Sequence, residues 1–493
     1  MQFSIVTLLA IAGAAVAAPS ASVYAGTTKK NMIMMVSDGF GPASETLARA
    51  WVQQHDQYPP NYMSIIDKIM VGSSRTRSAD SFVTDSAPGA VCFASGIKTY
   101  NNALGITTNY VPVGTNMEAA HRAGYKTGLV AKSYIADATP AAFASHAANR
   151  AMFDLISEQM AGLVPEIGQN VDLMFGGGRC TFIGNATKGS CRTDNKDLYP
   201  LMAKNGWTNI VNRTEFNALS ATSKLPISGL FSIGNMPYSI DYPYNDVPSL
   251  QEMTKKALDI LTEATKNSTQ GFYIMIEGSR IDHAGHANDA GTHIREILEY
   301  WETVKIVSDY IDAHPETAMV STSDHECGGL TLGRDNNYWL YPLVYTNQTK
   351  SQELACNELL AANITARGDL VTNVIVPKYL GKKNASPKVN AAILAANSTS
   401  ECYLAMSAAL SVDANLYWTS LGHTGVDVNV YAKGNNVTGI HGNMENTDIG
   451  NWITSYLGVD QAAVTSSIAK TNVFQYPFKR PNTTFVYTYP GTA

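Results

Sequence analysis

The sequence predicts an α/β fold in which a large, mostly parallel central β-sheet is flanked by helices on both faces, with one inserted cap segment. Short apolar runs recur at residues 32–36, 127–131, 171–175, 272–276 and 318–321, and stretches with helical spacing separate them. Three of these runs lead directly into acids and histidines: Asp38, then Asp282 with His286, then Asp324 with His325. Charged side chains at the ends of buried strands are hard to explain by packing, because they are rarely buried unless paired or bound to a metal. With 45% hydrophobic and 15% charged residues among 493, the chain can build a core large enough for such a sheet.

In chain order, residues 1–18 read as a signal peptide, an apolar stretch from Phe3 that ends in small residues before Ala18-Pro19. The only positive charge ahead of that stretch is the α-amino group. Asn-X-Ser/Thr sequons at Asn185, Asn212, Asn267, Asn347, Asn363, Asn384, Asn397, Asn436 and Asn482 point to a glycosylated, secreted chain. Beyond residue 18 no apolar run reaches the roughly 18 residues a membrane span needs, and residues 488–493 form no hydrophobic tail, so no membrane anchor is expected. A net charge of −6 leaves no basic footprint for a dedicated nucleic-acid partner.

The 32–36 run delivers Asp38. Asp85-Ser86-Ala87-Pro88 opens a helix with Pro88 in its first turn, and Cys92 lies in that helix. A helix is expected around 141–149, carrying His146 and ending near Arg150. The 171–175 run passes into Gly176-Gly177-Gly178-Arg179, a tight turn that lacks the Lys-Ser/Thr of a phosphate-binding P-loop. Ser249 and Glu252 stand at capping-box spacing, and Leu250, Met253, Ala257, Ile260, Leu261 and Ala264 share one helical face that packs on the sheet. The following 272–276 run brings out Glu277 and Asp282, with His293 in a helical stretch beyond. From about 336 to 420, sequons, two cysteines and Lys382-Lys383 interrupt the alternation, and His423 follows, so the chain leaves as a cap and returns to the same site. Of six cysteines, Cys180 and Cys191 bracket a loop and are expected to pair, Cys356 with Cys402 is a second pairing, and Cys92 and Cys327 stay free.

Gathered at one sheet edge, Asp38, Asp282, His286, Asp324, His325 and His423 offer mixed oxygen and nitrogen donors for two zinc ions with open positions. Two such ions about 4 Å apart stabilise both the attacking and the leaving oxygen of an in-line displacement. Any one of these residues alone reads as a cap or a surface polar group; the joint pattern does not. Ser86 is the candidate nucleophile, at a helix start whose free N–H groups suit an anion. Its local sequence alone favours a plain N-cap. No Gly-X-Ser-X-Gly surrounds it, which disfavours a Ser-His-Asp hydrolase. Cys327 reads either as a reactive thiol or, more simply, as a small buried hydrophobe.

Asp38-Gly39, Val83-Thr84-Asp85-Ser86-Ala87, Asp137-Ala138-Thr139-Pro140, Arg150, Glu277-Gly278-Ser279-Arg280-Ile281-Asp282 with His286, Asp324-His325 and Gly422-His423-Thr424-Gly425 together resemble the alkaline phosphatase family, in order over most of the chain. The resemblance implies a phosphomonoesterase, active at alkaline pH on small and macromolecular phosphate monoesters, in which Ser86 is phosphorylated and then hydrolysed. It implies two zinc ions and one magnesium ion per subunit. Asp282, His286 and His423 would bind the first zinc and Asp324, His325 and Ser86 the second. Asp38 would bridge the second zinc and the magnesium, whose shell Asp137, Thr139 and Glu277 complete; all-oxygen donors suit magnesium. Arg150 would grip two phosphate oxygens, oriented by Asp85.

Family members vary at the positions of Asp137 and His283, pairing Asp with Lys or His with His. This chain mixes Asp137 with His283, so His283 would either approach the third metal or hold a water near phosphate. His441 lacks the His-Thr-Gly context of His423. The resemblance also implies a homodimer. A phosphodiesterase or sulfatase of the same superfamily is the enzymatic alternative, although the sulfatase motif Cys/Ser-X-Pro-X-Arg is incomplete after Ser86-Ala87-Pro88; the non-enzymatic one is a secreted metal- or phosphate-binding protein with a dead site.

Overall fold

Apolar runs with no polar alternation leave a strand no face for water, so such strands must be covered on both sides. The computed structural model, which describes residues 29–383 and 385–471, builds its sheet around strands of this kind. The expected signal peptide, the sequons at Asn384 and Asn482 and residues 488–493 lie outside the described residues. In chain order the strands are β1 (Asn31–Val36), β2 (Met70–Arg75), β3 (Lys126–Tyr134), β4 (Leu173–Gly177), β5 (Thr208–Ile210), β6 (Ile227–Leu230), β7 (Phe272–Glu277) and β8 (Thr317–Thr322). Short β9 (Glu326–Cys327) and β10 (Leu330–Leu332), β11 (Leu416–Trp418) and β12 (His423–Thr424), then β13 (Val428–Gly434) and β14 (Gly442–Glu445) complete the order.

Ten strands form one sheet in the order β14-β2-β13-β8-β1-β7-β3-β4-β6-β5. The central strands pair parallel, whereas β13 is antiparallel to both of its neighbours. All of β1 is buried, and its side chains alternate between two apolar clusters, Ile33 and Met35 in one, Met32, Met34 and Val36 in the other. This two-sided burial confirms helices on both faces. The five expected strands are present. Strands β2, β5, β6, β13 and β14 had no continuous apolar run to announce them: β2 reads Met-Val-Gly-Ser-Ser-Arg and is largely half-exposed.

The helix Leu250–Thr265 carries its capping box, with both reciprocal bonds between Ser249 and Glu252 made. Leu250, Met253, Ala257, Ile260 and Leu261 are buried as expected, each large side chain contributing about 1.5–3 kcal/mol, while Ala264 falls on the exposed side. The helix expected around 141–149 is instead Ala138–Ala144. It stops because Ser145 turns extended and the chain beyond it bridges to Leu104 through Ala147. Arg150 therefore sits on an irregular segment. Between β10 and β11, which pair antiparallel, the chain makes a helical excursion tied by the disulfide Cys356–Cys402. Cys180–Cys191 is the second disulfide, and Cys92 and Cys327 are free and buried.

Candidate active site

Four adjacent parallel strands, β8, β1, β7 and β3, end at one edge of the sheet, where ligand sites of open α/β sheets lie. Asp324, Asp38, Glu277 and Asp137 emerge from those four ends. The loops approach each other closely enough to require glycine: Gly39 has φ +73°, and a Cβ there would stand 2.5 Å from Asp282 Cα. A Cβ on Gly89 would meet Asp324 Cβ at 2.9 Å, so that glycine lets the helix Ser86–Ser95 dock on the acid.

The short helix Arg280–His286 places Asp282 and His286 one turn apart, and β12 brings in His423 by pairing with Cys327 of β9. His286 Nε2 lies 3.1 Å from His423 Nε2 and 3.2 Å from Asp282 Oδ2. Both histidines turn Nδ1 to a backbone carbonyl, His286 to Leu421 at 2.6 Å and His423 to Thr84 at 2.8 Å. A carbonyl only accepts, so each Nδ1 carries a proton and Nε2 is the nitrogen left to give a lone pair once deprotonated. Two such nitrogens facing each other beside a carboxylate fit a cation that displaces the Nε2 proton. A tetrahedral zinc with bonds of about 2.0–2.1 Å has donor–donor edges of about 3.3 Å, close to these separations. Cys327 Sγ belongs to the same group of close donor atoms, a member that sequence reasoning did not place there. Burial, then Asp282, pushes its thiol well above the usual range, which argues against a thiolate nucleophile.

Asp38, Asp324 and His325 form a second group, all buried. His325 Nε2 stands 3.2 Å from Asp324 Oδ2, 3.5 Å from Asp38 Oδ1 and 3.1 Å from Ser86 Oγ, again near tetrahedral edges. Asp38 Oδ1, Asp282 Oδ1, Asp324 Oδ2, His325 Nδ1 and Thr139 Oγ1 are buried without a hydrogen-bond partner. So many orphaned donors and acceptors in one place is what a protein without its ions should show. Thr139, Glu277, Asp38 and Asp137 supply only oxygen.

The electrostatics agree. Burial, then the charges of Asp324, Asp282 and Glu277, drives the Asp38 carboxyl well above its ordinary range, and burial brings Glu277 to about 8. Burial acts the same way on Asp282, but His286, His423 and His325 overcome it and hold that carboxyl well below normal. Asp282 in turn raises His286 to about 9, while burial and then His325 lower His423 to about 4.

Ser86 opens its helix at the first helical position, and the cap itself is Asp85, whose Oδ1 accepts from Ala87 N at 2.7 Å. The hydroxyl is thus free of capping duty. Arg150 donates through Nη1 to the same Asp85 Oδ1 at 3.3 Å and through Nη2 to Asp137 at 2.8 Å. His283 accepts at Nδ1 from Arg280 Nη1 at 2.9 Å, and burial, then Arg280, lowers it to about 4. Arg280 and its partner Glu353 escaped the sequence reading; the only signal was an arginine inside the Glu277–Asp282 motif. His146 is buried against Glu118 and His293 bonds the Ile281 carbonyl, so both are structural, and His441 is exposed outside both donor groups.

A buried serine, an arginine and paired donor groups at the carboxyl edge of a parallel sheet define a metallohydrolase, and comparison with known proteins narrows the class. The family model described as alkaline phosphatase matches residues 29–459, and the chain belongs to that family. It is accordingly a phosphate monoester hydrolase. It is 41% identical over 462 residues to an alkaline phosphatase of Schizosaccharomyces pombe, covering 92% of this chain and 86% of that one. It is 37% identical over 475 residues to the repressible alkaline phosphatase of Saccharomyces cerevisiae, covering 90% and 84%. The crystal structure of a cold-active alkaline phosphatase from a psychrophilic Shewanella superposes with a TM-score of 0.73 at 30% identity, over 87% of this chain and 99% of that one. A histidine-to-aspartate mutant of the alkaline phosphatase from the Antarctic bacterium TAB5, with Mg bound in its M3 site, superposes with a TM-score of 0.61 at 25% identity, over 88% and 99%.

Proposed function

We propose that this phosphatase is a secreted, glycosylated homodimer that works through a phosphoserine on Ser86. The observation that carries the mechanism is the sharing of Asp85: the residue that caps the Ser86 helix also receives Arg150, so nucleophile and guanidinium are held by one carboxylate. Asp282, His286 and His423 would hold one zinc, and Asp324, His325 and Ser86 a second. Asp38 would join the second zinc to a magnesium completed by Asp137, Thr139 and Glu277; the magnesium in the histidine-to-aspartate mutant of the TAB5 enzyme supports this choice. When bound, such ions supply Lewis acidity that lowers the pKa of the serine hydroxyl and of water and offsets phosphate charge.

The chain's own groups do the rest. Arg150 binds two phosphate oxygens through its planar fork and orients the phosphorus in line with Ser86 Oγ. Ser86 Oγ attacks phosphorus, the bond to the leaving alkoxide breaks, and the serine proton ends on the departing alcohol. Water then attacks phosphorus from the vacated side, the bond to Oγ breaks, and Ser86 regains its proton as inorganic phosphate leaves. Recognition rests on the phosphate itself, so the range of leaving groups is broad.

The seven sequon asparagines among the described residues are all exposed, and two disulfides suit an oxidising compartment, which supports secretion. No helix among the described residues is long and apolar enough to cross a membrane. The excursion between β10 and β11 is assigned as the cap, roughly residues 336–420, near the interface with a second copy of the chain.

Quenching the enzyme in acid after mixing with radiolabelled phosphate monoester, followed by peptide mapping, tests the mechanism. Label on Ser86, and none on Ser86→Ala, is expected. Near-normal turnover by Ser86→Ala with its metals in place would end the phosphoserine reading. Matched rates on a monoester, a diester and a sulfate ester measure the specificity.

A further inference from the structure

The histidines around this site are not set alike. His286 and His423 each face a carbonyl with Nδ1, which leaves Nε2 for a metal. His283 instead faces the Arg280 guanidinium with Nδ1, at 2.9 Å. A guanidinium only donates, so the His283 Nδ1 must be the accepting nitrogen and its proton must lie on Nε2. A protonated Nε2 has no lone pair to give.

Arg280 itself has little freedom. It is 2% exposed, its guanidinium lies 3.6 Å over the Tyr238 ring, and Glu353 accepts from Nη2 through both carboxylate oxygens at 2.9 and 3.0 Å. Glu353 belongs to the helix Gln352–Ala361, which also carries Cys356 of the Cys356–Cys402 disulfide. The same helix is anchored to the body of the protein by Gln352 N donating to Asp289 at 2.8 Å.

We propose that Arg280 is a positioning residue that fixes His283 as a hydrogen-bond donor and bars it from ligating the third metal, and that Glu353 of the excursion segment holds Arg280 in that role. The third site is then left with the oxygens of Asp38, Asp137, Thr139 and Glu277, a set that selects magnesium over zinc. His283 offers an N–H to phosphate or its water. A single ion pair between cap and body thereby sets the metal preference of a site to which the cap contributes no ligand. The consequence for the metal rests on the function proposed above; the tautomer does not.

The test is nitrogen NMR on metal-free protein labelled at its ten histidines, with His283→Gln to assign the resonance. Expected is a pyrrole-like Nε2 and a pyridine-like Nδ1 for His283; the reverse pattern overturns the proposal, whatever the enzyme's activity. Elemental analysis after loading with equal free zinc and magnesium gives the second readout. Arg280→Met, and more mildly Glu353→Gln, should exchange the third ion from magnesium toward zinc. Unchanged metal content in folded Glu353→Gln and Arg280→Met would refute the positioning role. If Arg280→Met fails to fold, the wild-type tautomer and Glu353→Gln still decide. Protein that shows the expected tautomer but binds no metal would sink the function and leave the tautomer standing.

Discussion

Substituting Asp38 by Asn should have opposite meanings in the presence and absence of metal. In metal-free protein the protonated form of the Asp38 carboxyl is favoured, because burial and then Asp324, Asp282 and Glu277 drive it well above its ordinary range. Asn closely matches a protonated acid in shape, so Asp38→Asn should cost the metal-free fold no more than about 1 kcal/mol. Were Asp38 a structural anion paired with His325 at 3.5 Å, losing it would cost about 3–5 kcal/mol. With metals the outcome reverses. An ion present at about 1,000 times its Kd stabilises the fold by about 4 kcal/mol, and under the proposed assignment the variant would lose a donor to two ions at once. For a chain of 493 residues, an unfolding entropy of about 2.1 cal/mol/K per residue makes 1 kcal/mol worth about 1 °C in Tm. Metal-induced stabilisation should therefore shrink by about 4 °C or more, while the Tm in chelator stays within about 1 °C of wild type. Thermal unfolding with and without zinc plus magnesium, alongside elemental analysis, measures both. A variant that loses 3–5 °C in chelator and keeps its full metal gain would refute the reasoning.

Arg150→Ala should lower kcat/KM by about 100-fold and weaken inhibition by inorganic phosphate by a similar factor, with Arg150→Lys recovering only part of it, because an ammonium lacks the fork; steady-state kinetics with phosphate as inhibitor would contradict this if Lys restored both. Glu45, buried beside Tyr431 and Asn429, is raised by burial and then by Asp67 from 4.5 to about 7. A raised carboxyl contributes stability that is full below its unfolded pKa and lost as pH climbs through the folded one, so between pH 4.5 and 7 wild type should lose about 3 kcal/mol relative to Glu45→Gln. Parallel Tm-against-pH curves for the two proteins would rule that out. Removing the Cys356–Cys402 disulfide, with 46 residues of separation, should cost about 4 kcal/mol by loop entropy in non-reducing urea unfolding. A loss below about 1 kcal/mol would mean that packing alone holds the excursion.

How far the sequence reading reached follows from what each residue needs. Strands β1, β7 and β8 are buried on both faces, so their central residues are apolar (32–36, 272–276 and 318–320), and the acids behind them stood out by contrast. Strand β13 alternates Val428, Val430 and Ala432 with polar partners and sits between β2 and β8, so only its pairing reveals it. Arg150 was expected at the end of a helix and was found on an irregular stretch reaching back to Asp137, because Ser145 and the Leu104–Ala147 bridge end the helix early, a contact more than 40 residues away in sequence. Arg280 and Glu353 were invisible for the same reason. Their meaning lies in a 73-residue separation closed only by the fold.

The crowd of acids at the sheet edge also explains why these residues make sense only together. Asp38, Glu277, Asp282 and Asp324 converge where a phosphate dianion must approach, and Arg150 already divides its charge between Asp85 and Asp137. Two like charges 4 Å apart repel by about 4 kcal/mol at an effective dielectric of about 20, so with its carboxyls ionised and no cations such a surface would repel its own substrate. Cations held by these acids, as proposed, would reverse the sign of the field, and the substrate would then compete with Asp85 and Asp137 for the Arg150 fork. The excess of carboxylates is therefore no obstacle to an anionic substrate. It would concentrate the cations, and the opposed shifts of its carboxyls, Asp38 and Glu277 pushed up by burial and Asp282 held down by His286, His423 and His325, suit a site that takes up positive charge.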